Sequence, residues 1–226
     1  MNLPHIPAVP LAAFTGFVAG VVLCIPVGPI NLTILSEGAR RGFRWAALIG
    51  AGAVTMETIY CTIAFTGFAS FFQQGLVKAT MELVSFVFLL WLGCKFLTAK
   101  SVEATNAVEE RIEERLKPHT AFMIGFVRVM GNPGILLGWI LIAASMVSRE
   151  WVAPTFEGKF AFIAGVAVGV GSWFLMLSYL VSYAKKPLSR ASLLRLEHGS
   201  GVVLVITALV HGGQIIYQLA QARLNH

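Results

Sequence analysis

Glu57, Arg128, Asn31 and Asn132 are polar side chains set inside long apolar runs. At membrane depth an ionisable group costs about 2.5–3.5 kcal/mol on insertion scales, so its presence points to function. Glu57 suits an ammonium group or a coupling proton. The competing reading is a structural carboxyl, hydrogen-bonded between helices. Arg128 can pair with Glu57 or extend its guanidinium to the interface. Removal from water favours a neutral carboxyl, whereas a nearby guanidinium favours the carboxylate. The sequence leaves that balance open. Asn31 and Asn132 adjoin helix breakers, where an amide either caps a half-helix or binds substrate.

The breakers are Pro26-Val27-Gly28-Pro29 and Asn132-Pro133-Gly134. Proline lacks an N–H and clashes with the preceding turn, and Gly28 and Gly134 are expected to supply backbone freedom. An interrupted helix inside a bilayer frees backbone groups that only protein or a water-filled cavity can satisfy. Broken spanning helices therefore point to a substrate site. The half-helix N-termini after each break carry a positive dipole end that suits a carboxylate. With Glu57 for an ammonium, the set matches a zwitterion, the charge pattern of an amino acid.

Other chemistry is not indicated. Five histidines are scattered without H-x-x-x-H spacing, so no metal site is expected. No glycine-rich phosphate loop, catalytic triad spacing or G-x-S-x-G run occurs, so neither an enzyme nor a cofactor is expected. Cys24, Cys61 and Cys94 lie in apolar runs and read as packing residues. Lys95 and Glu82 fall near the ends of one apolar run and are expected to snorkel.

The elements that position these residues follow from composition. The chain has 226 residues, 57% hydrophobic and 12% charged, with mean hydropathy +0.76. Soluble domains carry about 25% charged residues. The fold class expected is therefore an all-α membrane protein, a single domain over 1–226. Six spans are drawn, at about 11–35, 45–72, 79–98, 120–147, 160–183 and 200–222. The net charge of +6 reads as a topology signal rather than a nucleic-acid footprint. Arg40, Arg41, Arg44, Lys100, Arg111, Arg115, Lys117, Lys185, Lys186, Arg190 and Arg195 fall in odd loops, against Lys78, Arg149, Lys159 and Arg223 on the other side. The odd loops are thus assigned to the cytoplasm. Trp45 and Trp151 suit the interfacial aromatic belt. No Lys or Arg precedes Arg40, so the first span is expected to be retained rather than cleaved as a signal peptide. Within a charged cytoplasmic loop expected at 99–119, Glu103–Lys117 is the most polar stretch, and Glu113 and Lys117 have favourable i,i+4 spacing for a solvated helix.

A weak internal repeat runs at an offset of 105 residues. It pairs Phe17 with Phe122, Gly20 with Gly125, Val22 with Val127, Ile30 with Ile135 and Leu32 with Leu137. It also brings the two breaks into register. Three spans per repeat is an odd number, so the halves 11–98 and 120–222 would be inverted, with helices 1 and 4 broken. At a rise of 1.5 Å per residue, Glu57 and Asn132 lie roughly 18 Å from the cytosolic side, Pro26 about 14 Å and Arg128 about 12 Å. These features converge on one depth zone.

At these residues the chain resembles the LysE-type exporter family, which includes lysine and homoserine/threonine exporters. The resemblance rests on Gly16, Gly20 and Pro26-Val27-Gly28-Pro29 in the first span. It continues with Glu57 ten positions before Gly67, with Trp91-Leu92-Gly93, and with Phe122, Gly125, Asn132 and Pro133. Glu57 stands where the family usually has Asp, and Gly134 where it usually has Lys. The resemblance implies a multi-pass cytoplasmic-membrane exporter of amino acids or related small amines, driven by the proton gradient and often dimeric. The alternatives are a cation or metal exporter, a membrane-embedded enzyme, or a non-transporting assembly subunit. Each lacks a set of ligands or nucleophiles in the spans, or a use for unwound backbone.

Overall fold

The computed structural model describes residues 8–25, 28–67, 75–100, 111–112, 115–116, 119–148, 151–183 and 190–224. The helices are α1 (Ala8–Cys24), α2 (Pro29–Arg41), α3 (Phe43–Gly67), α4 (Gly75–Leu97), α5 (Ala121–Met130), α6 (Pro133–Ser148), α7 (Phe156–Tyr183) and α8 (Arg190–Leu224). No strand occurs among the described residues. Helices α3 and α7 are each long and apolar enough to cross a membrane. The pairs α1/α2 and α5/α6 meet that test together, but each is sharply bent, by 74° and 66°. The molecule is an all-helical membrane protein with two to four such spans among the described residues. Shorter apolar stretches, Phe86–Leu97 and Gly201–Tyr217, lie in α4 and α8.

Both bends fall where the sequence places its breakers. Helix α1 ends at Cys24, and α2 opens with Gly28 as its N-cap and Pro29 in its first turn. Proline's fixed φ and missing N–H suit that position. Pro26 itself lies outside the described residues, as does most of the 103–117 loop with Glu113 and Lys117. Helix α5 begins at an N-cap, Thr120, which accepts from the Met123 N–H at 3.2 Å. Its end tightens through the Asn132 N–H donating to Val129 O. Asn132 then caps α6, its Oδ1 accepting from the Gly134 N–H at 3.0 Å.

The glycines at the breaks act differently from expectation. Gly28 has φ −89° and ψ −175°, extended backbone open to any residue. Gly134 is not left-handed either. A methyl group there would stand 3.1 Å from Asn132 Oδ1 and crowd the cap. Backbone freedom is instead used at Gly42, with φ 83° in the turn from α2 to α3.

Close helix crossings hold the molecule together. Gly16 and Gly20 of α1 face Phe162 and Val166 of α7, and Gly165 and Gly169 of α7 face Ala13 and Phe17 of α1. Rising numbers on one helix match rising numbers on the other, so α1 and α7 run parallel. Likewise Gly52 of α3 faces Phe122 and Phe126 of α5, and Gly125 of α5 faces Ile49 and Ala53 of α3. Those two are also parallel, since Tyr60 of α3, beyond Gly52, meets Met130 of α5, beyond Gly125. Small residues let backbones approach this closely, as membrane helices do in place of a hydrophobic driving force. Helices α3 and α7 cross antiparallel, with Gly50 against Phe174 and Phe65 against Phe162 at a ring separation of 4.8 Å. Helices α4 and α8 are antiparallel, with Gly93 against Gly201 and Phe86 against Gly212.

Two further expectations change. Cys24 and Cys61 are buried packing residues, but Cys94 is exposed. The eighth helix starts ten residues before the span drawn from hydropathy, because Arg190 to His198 is rich in Leu and Arg, both good helix formers. His198 then reaches Ala99 O at 3.0 Å.

Candidate functional site

The bends would leave carbonyls without partners, and side chains from elsewhere take them. At the end of α1, Asn31 Nδ2 donates to Cys24 O at 2.8 Å. Trp173 Nε1, from α7, donates to Asn31 Oδ1 at 3.1 Å and fixes the amide orientation. At the end of α5, the Tyr60 hydroxyl, from α3, donates to Met130 O at 2.8 Å. A buried carbonyl left without a donor costs about 1–3 kcal/mol, so these bonds make the bent geometry affordable. Both asparagines thus serve the breaks, Asn31 after the first and Asn132 within the second.

Glu57 is buried on the face of α3 that meets α6. Its Oε2 accepts from Trp139 Nε1 at 2.8 Å, and its Oε1 accepts from the Cys24 thiol at 3.9 Å. The two oxygens are therefore unequal: one is held by a strong indole donor, the other by a long, weak thiol contact. Trp139 is 1% exposed and Cys24 4%, so the carboxyl sits between two buried donors and borders the adjoining cavity. Arg128 in the last turn of α5 donates to Thr33 Oγ1, and Thr33 donates to Pro29 O at 2.8 Å. This relay ties the cation to the first turn of α2. No ion pair joins Arg128 to Glu57 among the described residues.

A single cavity of about 1020 Å³ gathers the site. Gly28, Pro29, Asn31, Glu57, Arg128, Asn132 and Gly134 all line it. The sequence argument drew the site between spans 1, 2 and 4; the cavity also reaches α4 through Phe88 and Lys95, α8 through Leu204, and α7 through Phe174. Trp151, expected in the aromatic belt, lines it too. Among the described residues no three His, Cys, Asp or Glu side chains come together as a metal site would need.

Sequence reasoning missed Cys24, Thr33, Tyr60, Trp139 and Trp173. Two of these had a signal. Tyr60 follows Glu57 by three residues, and Trp139 follows Asn132 by seven, so each shares a helix face with a polar residue already singled out. Trp173 had none, because its partner is 142 residues away.

The family model described as LysE type translocator matches residues 21–212, most of the chain. YcgF of Bacillus subtilis, whose name describes it as an amino acid efflux protein, is 28% identical over 204 residues, 89% of this chain and 95% of its own. The arginine exporter protein ArgO of Enterobacter sp. (strain 638) is 25% identical over 214 residues, 94% of this chain and 95% of its own. ArgO of Escherichia coli O157:H7 is 27% identical over 172 residues, 75% and 78% of the two chains. No solved structure matches. With two bent helices, a buried acid and a shared cavity on the same elements that the family model spans, this chain belongs to the LysE-type translocator family.

Proposed function

We propose that this protein is a secondary transporter that exports amino acids across the cytoplasmic membrane. The observation that carries the reading is the cavity shared by both breaks and Glu57. The names of YcgF and ArgO supply the cargo class. In this reading six spans form two inverted halves, α1 to α4 and α5 to α8, with the basic odd loops in the cytoplasm. The matched parallel crossings, α1 on α7 and α5 on α3, support that arrangement. So do Gly52 and Gly165, and Tyr60 and Trp173, each pair 113 positions apart and each serving a corresponding contact.

Substrate enters from the cytoplasm and binds at the breaks. Its ammonium replaces the weak thiol contact at Glu57 Oε1, while Trp139 keeps Oε2 in place. The Arg128 guanidinium and the N-terminal turns of α2 and α6 receive the carboxylate. A proton and the ammonium compete for one carboxyl, so a proton arriving from outside displaces the amino acid and resets the carrier. Opening to either side then moves the half-helices about their bends.

The test is efflux from proteoliposomes loaded with a mixture of amino acids under an imposed proton gradient. Wild type should lose an amino acid when the gradient is applied, and Glu57→Gln should lose none by this route. Gradient-driven efflux in Glu57→Gln at the wild-type rate would remove Glu57 from the coupling.

A further inference from the structure

Helix α2 joins its neighbours in the chain through open corners. Gly28 precedes it and Gly42 follows it, the latter at φ 83°, and a methyl group at either would meet no described atom within 4 Å. Its ion pairs, Glu37 with Arg40 and with Arg41, lie within the helix and would travel with it. Side-chain bonds tie it outward: Asn31 accepts from Trp173 of α7, and Thr33 accepts from Arg128 of α5. Beneath α2 the fit is costly. Gly38 packs against Ser182 of α7, and Arg41 lies 4.6 Å over the Trp45 ring of α3. Ser182 Oγ and Trp45 Nε1 are both buried, and neither has a hydrogen-bond partner among the described residues. Buried polar atoms without partners disfavour the arrangement that hides them.

A helix hinged at both ends, seated over unsatisfied polar atoms and held by side-chain bonds, has the parts of a two-state element. We propose that α2 is the moving gate of the carrier, and that the bond from Arg128 to Thr33 is its latch. The latch is one-sided. At the repeat offset of 105, Thr33 corresponds to Gly138 and Arg128 to Leu23. Neither carries a polar side chain, so this bond cannot form at the corresponding place on α6. Helix α6 instead holds Glu57 through Trp139 and stays in place. In the exporter reading, on which this rests, the cargo carboxylate takes Arg128 and so draws it from Thr33. Helix α2 then swings about Gly28 and Gly42, water reaches Ser182 and Trp45, and the cavity opens on the side of the first loop.

The test is thiol labelling of Ser182→Cys in the purified full-length chain, with Cys94→Ala to remove the exposed native thiol. Incorporation of N-ethylmaleimide at position 182 is followed by peptide mass spectrometry, and the buried native Cys61 serves as the control. Labelling at 182 should be slow at rest. It should be several-fold faster with Thr33→Val, which removes the acceptor at nearly constant shape, and with Arg128→Gln, which removes the donor. Thr33→Ser keeps the hydroxyl and should keep the slow rate. An equimolar mixture of the common amino acids should speed labelling where Thr33 is intact. Unchanged labelling in both Thr33→Val and Arg128→Gln would overturn the latch. A parallel rise at Cys61 would overturn it too, since that reports general loosening rather than motion of α2. No response to amino acids in a parent that exports them would overturn release by cargo. Fast labelling in Thr33→Val, with neither a response to amino acids nor efflux from proteoliposomes in the parent, would support the latch and overturn the exporter reading.

Discussion

Tyr60 and Trp173 hold the two bends through different chemistry. The phenol takes the Met130 carbonyl directly, whereas the indole works through Asn31. Tyr60→Phe keeps the ring and removes only the donor. It should cost about 1–3 kcal/mol, read as a lower unfolding midpoint in detergent, and should slow transport by loosening the α5 end. Trp139→Phe leaves Glu57 Oε2 without its indole donor, so substrate affinity should fall several-fold, more than folding stability does. A binding titration beside a thermal melt separates the two. At this scale the sequence reveals which residues are unusual but not whom they meet. Glu57 and Asn31 stand out because polar groups are rare in apolar runs. Cys24, Thr33 and Trp139 are ordinary membrane residues, and only the fold makes them partners.

The breaks are the elements most legible in the sequence, because proline restricts the backbone whatever surrounds it. Helix ends are less so. Hydropathy marks where a bilayer could begin, whereas helices continue as long as their backbone is satisfied, as α8 does through Arg190 to His198. Glycine roles need the neighbour as well as the residue. Gly52 is indistinguishable by sequence from Gly213, yet a methyl at Gly52, as at Gly125, would overlap a backbone carbonyl, while one at Gly213 meets nothing among the described residues within 4 Å. Gly125→Val should therefore separate α5 from α3 and leave little folded protein after purification. Gly213→Ala should leave yield unchanged and raise stability by up to about 1 kcal/mol through helix propensity.

For the whole molecule, the offset of 105 residues already pairs Gly20 with Gly125, and the structure sets both on parallel helix crossings. That contact could not be read from five weak identities alone, since apolar residues match often by chance. Orientation rests on the basic loops and has a direct check. A single cysteine introduced as Lys100→Cys, with the native cysteines removed, should react with an impermeant maleimide in inside-out vesicles and not in intact cells. Lys159→Cys should show the reverse pattern.

Four side-chain bonds around the bends join residues from opposite sides of position 100. Tyr60 serves Met130, Trp173 serves Asn31, Arg128 serves Thr33 and Trp139 serves Glu57. Neither segment brings everything that its own bend requires. The chain is therefore expected to behave as an obligate pair of unlike subunits that happen to share a peptide link. Cut into 1–105 and 106–226 and made together, the pieces should co-purify and retain efflux; made alone, each should be degraded.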